Sequence, residues 1–207
     1  MRFKRMLLLG LVLSMLCTVT AFADSGTYYQ GYVTANLQVN DRPISEGGVP
    51  PFVIDGSTVV PLRKAAEALN ALVSWDSYSK TAKLYRPNVN MFFSEEVSGK
   101  DYTIKKPFSR VDSGKTLSFV VFVQADSIKT TVDGFRISVI APNGSIVNNL
   151  DDSTVYRTIS DDNFSDGLWY TLPLKLKFSQ TGTYTVSFSF LYNGDYQVVA
   201  EKTIKSE

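Results

Sequence analysis

From residue 32 to 39 the chain alternates, with Val33, Ala35, Leu37 and Val39 on one face and Thr34, Asn36 and Gln38 on the other. A period of two predicts a half-buried strand. Asn40-Asp41 has turn chemistry, and SEGGVPP reads as loop. A second extended stretch, FVIDGSTVV, bends at Asp55-Gly56, a strong hairpin signal. The period then changes. Leu62, Ala65, Ala66 and Leu69 fall at i, i+3, i+4 and i+7, one apolar stripe of a helix, with Arg63, Lys64 and Glu67 facing away. Arg63 and Glu67, four apart, make a surface ion pair of little weight. Pro61 suits the first helical position, and Asn70 the left-handed place after the last turn. Residues 72–75 and 81–85 then predict two strands turning through Asp76-Ser77, and Arg86-Pro87-Asn88 closes the unit. A helix of about ten residues is marginal alone in water, so packing on the strands must hold it. The unit is small and α+β.

Beyond residue 96 no helical period recurs. Seven strand-like runs follow: DYTIKKPF, TLSFVVFVQ, GFRISVIA, STVYRTI, LWYTLPLKLKF, GTYTVSFSFLY and DYQVVAEKTI. Ile137, Val139 and Ala141 alternate with polar neighbours, as do Tyr184, Val186, Phe188 and Phe190. Asn143-Gly144 and Asn193-Gly194 read as hairpin turns of the primed type. Such short antiparallel strands predict an immunoglobulin-like β-sandwich. Tyr184, just after Gly182, fits a tyrosine corner. The expected organisation is an α+β domain over 32–87 and an all-β sandwich over 96–207, with the boundary between residues 88 and 98.

The first residues change the picture of where the chain goes. Arg2, Lys4 and Arg5 precede an apolar run over 6–19, and Ala21-Phe22-Ala23 is an A-x-A cleavage site. That is a secretory signal peptide, residues 1–23, cut after Ala23. Its apolar run falls short of the ~20 residues a membrane span needs. Leu16 before Cys17 is the wrong residue for a lipoprotein. Removing 23 of 207 residues leaves a mature chain without the single cysteine, so disulfides and thiolate metal sites are excluded. Three of 21 basic residues leave as well, so 18 face 20 acids and there is no basic face for nucleic acid. The expected location is secreted or cell-surface, with no membrane span after cleavage. An exported chain lacking cysteine suits a bacterial envelope.

The string LQVNDRPI…PPFVIDGSTVVPLRKAAEALNALVSWDSYSKTAKLY resembles the copper amine oxidase-like N-terminal domain. Val60-Pro61-Leu62-Arg63, Ala66-Glu67-Ala68-Leu69, Val73-x-Trp75-Asp76 and Lys80-Thr81-Ala82 carry the likeness. Asp41, Ser57 and Asn70 depart from the family's glycine, arginine and glycine, and two of these are turn positions that tolerate Asp and Asn. The resemblance implies a non-catalytic stalk found in exported bacterial proteins, with Trp75 in core or interdomain packing. It does not imply amine oxidation. The chain has no histidine, and a copper(II) site is built from imidazoles.

The same lack removes Ser-His-Asp and Cys-His catalysis. The acids Asp151, Asp152, Asp161, Asp162 and Asp166 remain. They read as solvated loops, as a calcium site supplied with carboxylate oxygens, or as a glycosidase pair. Trp169 and Tyr170, with Phe164, form a candidate aromatic platform for sugar rings, though a tryptophan in a sandwich is more often core. No cofactor is expected. The expected function is an exported, non-catalytic binding or structural protein whose partner is a cell-wall polymer or another envelope protein. The rival is a secreted carbohydrate-binding module, calcium-dependent if the acidic loops hold a metal.

Overall fold

The computed structural model describes residues 27–44, 48–98, 100, 103–151 and 167–207. The expected signal peptide and the expected strand at 153–159 lie outside them. In chain order the strands begin with β1 (Tyr28–Tyr29), β2 (Tyr32–Val33), β3 (Gln38–Val39), β4 (Arg42–Pro43), β5 (Phe52–Ile54) and β6 (Ser57–Val59). Helix α1 (Leu62–Ala68) follows, then β7 (Leu72–Asp76), β8 (Thr81–Tyr85), β9 (Asn88–Val97), β10 (Ile104–Pro107) and β11 (Arg110–Val111). The last five are β12 (Thr116–Asp126), β13 (Gly134–Ile140), β14 (Gly167–Lys177), β15 (Gly182–Tyr192) and β16 (Asp195–Ser206). Among the described residues no helix is long and apolar enough to cross a membrane.

The chain divides into two compact units, one of Met1–Asn36 with Glu46–Val59 and one of Leu37–Ser45 with Val60–Glu207. The first contains two hairpins. β1 and β2 turn at Gln30-Gly31, and β5 and β6 at the predicted Asp55-Gly56, with positive φ at both residues of each turn. The single strand expected over 32–39 is split. Thr34 bridges Phe52 and the Ala35 N–H donates to the Pro51 carbonyl at 2.8 Å. Gln38 and Val39 instead pair with Pro43 and Arg42 around Asn40-Asp41. One segment cannot serve two ladders without a break.

In the second unit the helix spans seven residues, shorter than the stripe suggests. Pro61 is its cap rather than its first residue. Its ψ of 113° is extended, and its carbonyl accepts the Ala65 N–H at 3.1 Å. Asn70 takes φ +56°, as expected. Its N–H donates to Glu67, and the Ala71 N–H donates to Ala66 at 2.8 Å, the paired bonds of a Schellman stop. Of the predicted stripe only Ala66 is fully buried, against Ala71 and Val73. Leu62 and Leu69 stay exposed because two turns of helix cover only the start of β7. Trp75, expected in packing, is 60% exposed for the same reason. No Arg63–Glu67 ion pair forms among the described residues, where the pairs are those of Asp76, Glu96, Asp151 and Glu207 with lysines or Arg110.

The turn after β7 is tied by Asp76. Its Oδ1 accepts the N–H groups of Tyr78 (3.0 Å) and Ser79 (3.2 Å), and Lys83 stands 3.4 Å from its other oxygen. Bonds from the Ser79 side chain, then from the two backbone N–H groups and Lys83, lower its pKa from 3.8 to about 2. The folded value lies below the unfolded one, so the contribution to stability is present above pH 3.8 and lost as pH falls through about 2. Thermal unfolding should therefore show the native chain above Asp76→Asn at neutral pH, the gap closing across that window.

The sandwich has two four-stranded sheets, ordered β10-β9-β12-β14 and β11-β16-β15-β13. β9-β12-β14 and β13-β15-β16 take the places of the A-B-E and C-F-G strands of an immunoglobulin domain. All pairs are antiparallel except β11 with β16. The core lies between the sheets. Phe119, Val121 and Val123 of β12 meet Ile137 and Val139 of β13 and Val186, Phe188 and Phe190 of β15. β9 occupies what reads in sequence as a boundary, because Met91 and Phe93 alternate into this core. Tyr184 is buried, and its hydroxyl accepts the Gln180 N–H at 3.0 Å, closing the predicted tyrosine corner. Asn193-Gly194 is the predicted hairpin turn, with both residues at positive φ. At Asn143-Gly144 only Gly144 is left-handed, and its N–H donates to the Ala141 carbonyl. With Pro142 first and Asn143 outside the left-handed region, residues 141–144 form a type I turn.

Candidate aromatic face of the sandwich

Along β12 the odd residues enter the core, so Phe122, Gln124 and Asp126 lie on the outer side of the sheet, where Phe122 is itself covered and only 4% exposed. The ladders place their neighbours. Phe92, Phe122 and Thr171 form one row across β9, β12 and β14, Asn90, Gln124 and Trp169 the next, and Asn88, Asp126 and Gly167 the third. Trp169, on the edge strand β14, is 60% exposed. Phe122 stacks on Phe92 with centroids 4.5 Å apart and planes 7° apart, and Trp169 meets it edge-on at 6.5 Å. Such cross-strand pairs hold aromatic side chains in fixed orientations.

Beside the rings runs a polar row. Asn90 Nδ2 donates to Gln124 Oε1 at 3.3 Å, Gln124 Nε2 to Asp126 Oδ2 at 3.1 Å, and Asn88 Nδ2 to both Asp126 oxygens at 3.2 Å. An exposed indole beside a connected row of planar amides is a surface suited to a flat ligand with an apolar face and a hydroxylated edge. Gly167 leaves the position two residues from Trp169 without a side chain.

Tyr170 does not belong to this face. Strand alternation turns it inward, where its ring packs 4.9 Å from Phe135. Trp169 is thus the surface residue of the dipeptide and not core. Phe164 lies outside the described residues, as do Asp152, Asp161, Asp162 and Asp166. Asp151 is described and sits 3.3 Å from Lys175 Nζ. Among the described residues no group of His, Cys, Asp or Glu is placed to hold a metal. Asn90, Gln124, Phe92 and Phe122 carry no motif. Their only sequence signal is the period-two position opposite Met91, Phe93, Val121 and Val123.

The topology defines the class, an immunoglobulin-like β-sandwich preceded by a short helix and a β-hairpin. Residues 38–104 match the copper amine oxidase N-terminal domain, so the match runs from β3 through β9 to the start of β10. That match is to a non-catalytic domain and fits a chain without enzymatic chemistry. A search of curated proteins found no sequence match. Among solved structures, the chain is similar to an immunoglobulin-like protein from Pseudomonas aeruginosa, at 13% identity over 59% of this chain and 95% of the other, with a TM-score of 0.31. It is likewise similar to the CARDB domain of a Pyrococcus furiosus protein in complex with di-metal ions, at 13% identity over 65% of this chain and 99% of the other, with a TM-score of 0.31.

Proposed function

We propose that the chain is an exported, non-catalytic module of the bacterial cell envelope or extracellular space that binds a wall polysaccharide through the outer face of β9, β12 and β14. The observation that carries this reading is Trp169, an indole held in the open beside the amides of Gln124 and Asn90. Pyranose rings stack their C–H faces on indole, and their hydroxyls exchange hydrogen bonds with side-chain amides, so ring and amide row answer the two parts of a sugar. The reading calls on no metal: the carboxylate on this face, Asp126, is bonded to the amides of Asn88 and Gln124.

The test is sedimentation of the mature chain with cell-wall sacculi at moderate salt, with and without chelator. The native chain should pellet in both. Trp169→Ala should lose at least tenfold in affinity, about 1.4 kcal/mol, as expected for an exposed aromatic anchor. Pelleting that ignores the substitution would move the partner elsewhere on the chain, and a protein left in the supernatant throughout would reject the wall as partner.

A further inference from the structure

A concavity of about 590 Å³ opens between the β7–β8 hairpin and the loops at one end of the sandwich. That volume falls in the range of small-ligand sites. Its base is rigid. Tyr85 and Tyr192 meet edge-on at 6.3 Å, and the Tyr192 hydroxyl donates to Ser74 Oγ at 3.0 Å. Beneath them the buried Gln197 grips the backbone of Val73, accepting its N–H at 2.9 Å and donating to its carbonyl at 3.3 Å. Trp75 forms an exposed aromatic wall, and Thr130, Thr131 and Asn193 supply hydroxyl and amide groups.

Four charged side chains line this space: Arg63, Lys83, Asp76 and Asp195. Lys83 and Asp76 are occupied with each other at 3.4 Å. Arg63 and Asp195 are not. Among the described residues neither has an oppositely charged side chain within 4.0 Å. The cavity thus offers one guanidinium and one carboxylate, of opposite sign and unspent on each other. The guanidinium presents a planar fork that matches a carboxylate. A ligand that answers both charges at once carries both an ammonium and a carboxylate.

We infer that this cavity binds a short zwitterionic peptide, of dipeptide size, with its carboxylate on Arg63, its ammonium on Asp195 and a side chain against Trp75. The site is separate from the aromatic face, and so is its test. The chain has two tryptophans, so Trp169→Phe leaves Trp75 as the sole indole reporter. That variant would be titrated with alanyl-alanine, with its N-acetyl derivative and with its C-terminal amide. The free dipeptide should shift the Trp75 emission saturably. Each blocked derivative should bind at least tenfold more weakly, because each lacks one charge. Arg63→Gln, an exposed substitution, should weaken the free dipeptide to the same extent and leave the amide with no further loss. Equal binding of all three peptides, or a Trp75 emission that none of them moves, would overturn the assignment. A sacculus assay that fails for the aromatic face leaves these outcomes untouched, since the reporter chain lacks Trp169.

Discussion

Replacing Gln197 by leucine should destabilise the protein by about 2–4 kcal/mol, although leucine fills nearly the same volume. The side chain is buried and does the work of a neighbouring strand, bonding both the N–H and the carbonyl of Val73. Leucine would leave those two backbone groups desolvated without partners. Each such group costs about 1–3 kcal/mol, and burial of unpaired polar atoms is penalised far more than their pairing is rewarded. Urea unfolding of the native and variant chains checks this. A shift in stability below about 0.5 kcal/mol would mean that water reaches Val73 and that the amide is dispensable.

Gly182→Ala should cost about 3 kcal/mol or more. Gly182 sits at φ +133°, a region that side chains rarely enter, and an added Cβ would lie 2.9 Å from Pro142 Cβ and 3.0 Å from its Cγ. Backbone strain of this kind amounts to about 1–3 kcal/mol, and the proline ring has no flexible end to swing aside. The site opens β15 two residues before Tyr184, so a shift there also pulls on the bond to Gln180. Gly194→Ala is the matched comparison. Its φ is +83° with nothing within 4 Å, so only strain remains, about 1–2 kcal/mol. Equal losses at the two sites, measured by thermal unfolding, would remove Pro142 from the account.

Local rules decided much of this molecule. Alternation in β12, β13 and β15 made the sandwich legible, since period two in strands of this length must bury one face. Asn40-Asp41, Asp55-Gly56 and Asn193-Gly194 named their turns, and Asn70 its helix stop, because left-handed φ is a property of a residue and its immediate neighbours. The family motif around Val60-Pro61-Leu62-Arg63 is likewise carried by consecutive residues. The candidate face was less legible. Trp169 was visible as a residue, but its neighbours Phe92, Asn90 and Gln124 reach it only through ladder register.

What the tertiary structure alone decided follows from the same distinction. A strand's period says that it has two faces without saying which one meets the core, so Trp169 emerged on the surface and Tyr170 against Phe135. A helix stripe says which side is apolar without saying how far its partner extends, so Leu62, Leu69 and Trp75 remained in the open. The bond between Gln197 and Val73 joins residues 124 apart in sequence, and no local pattern of side chains encodes a contact that exists only once both ends have been folded into place.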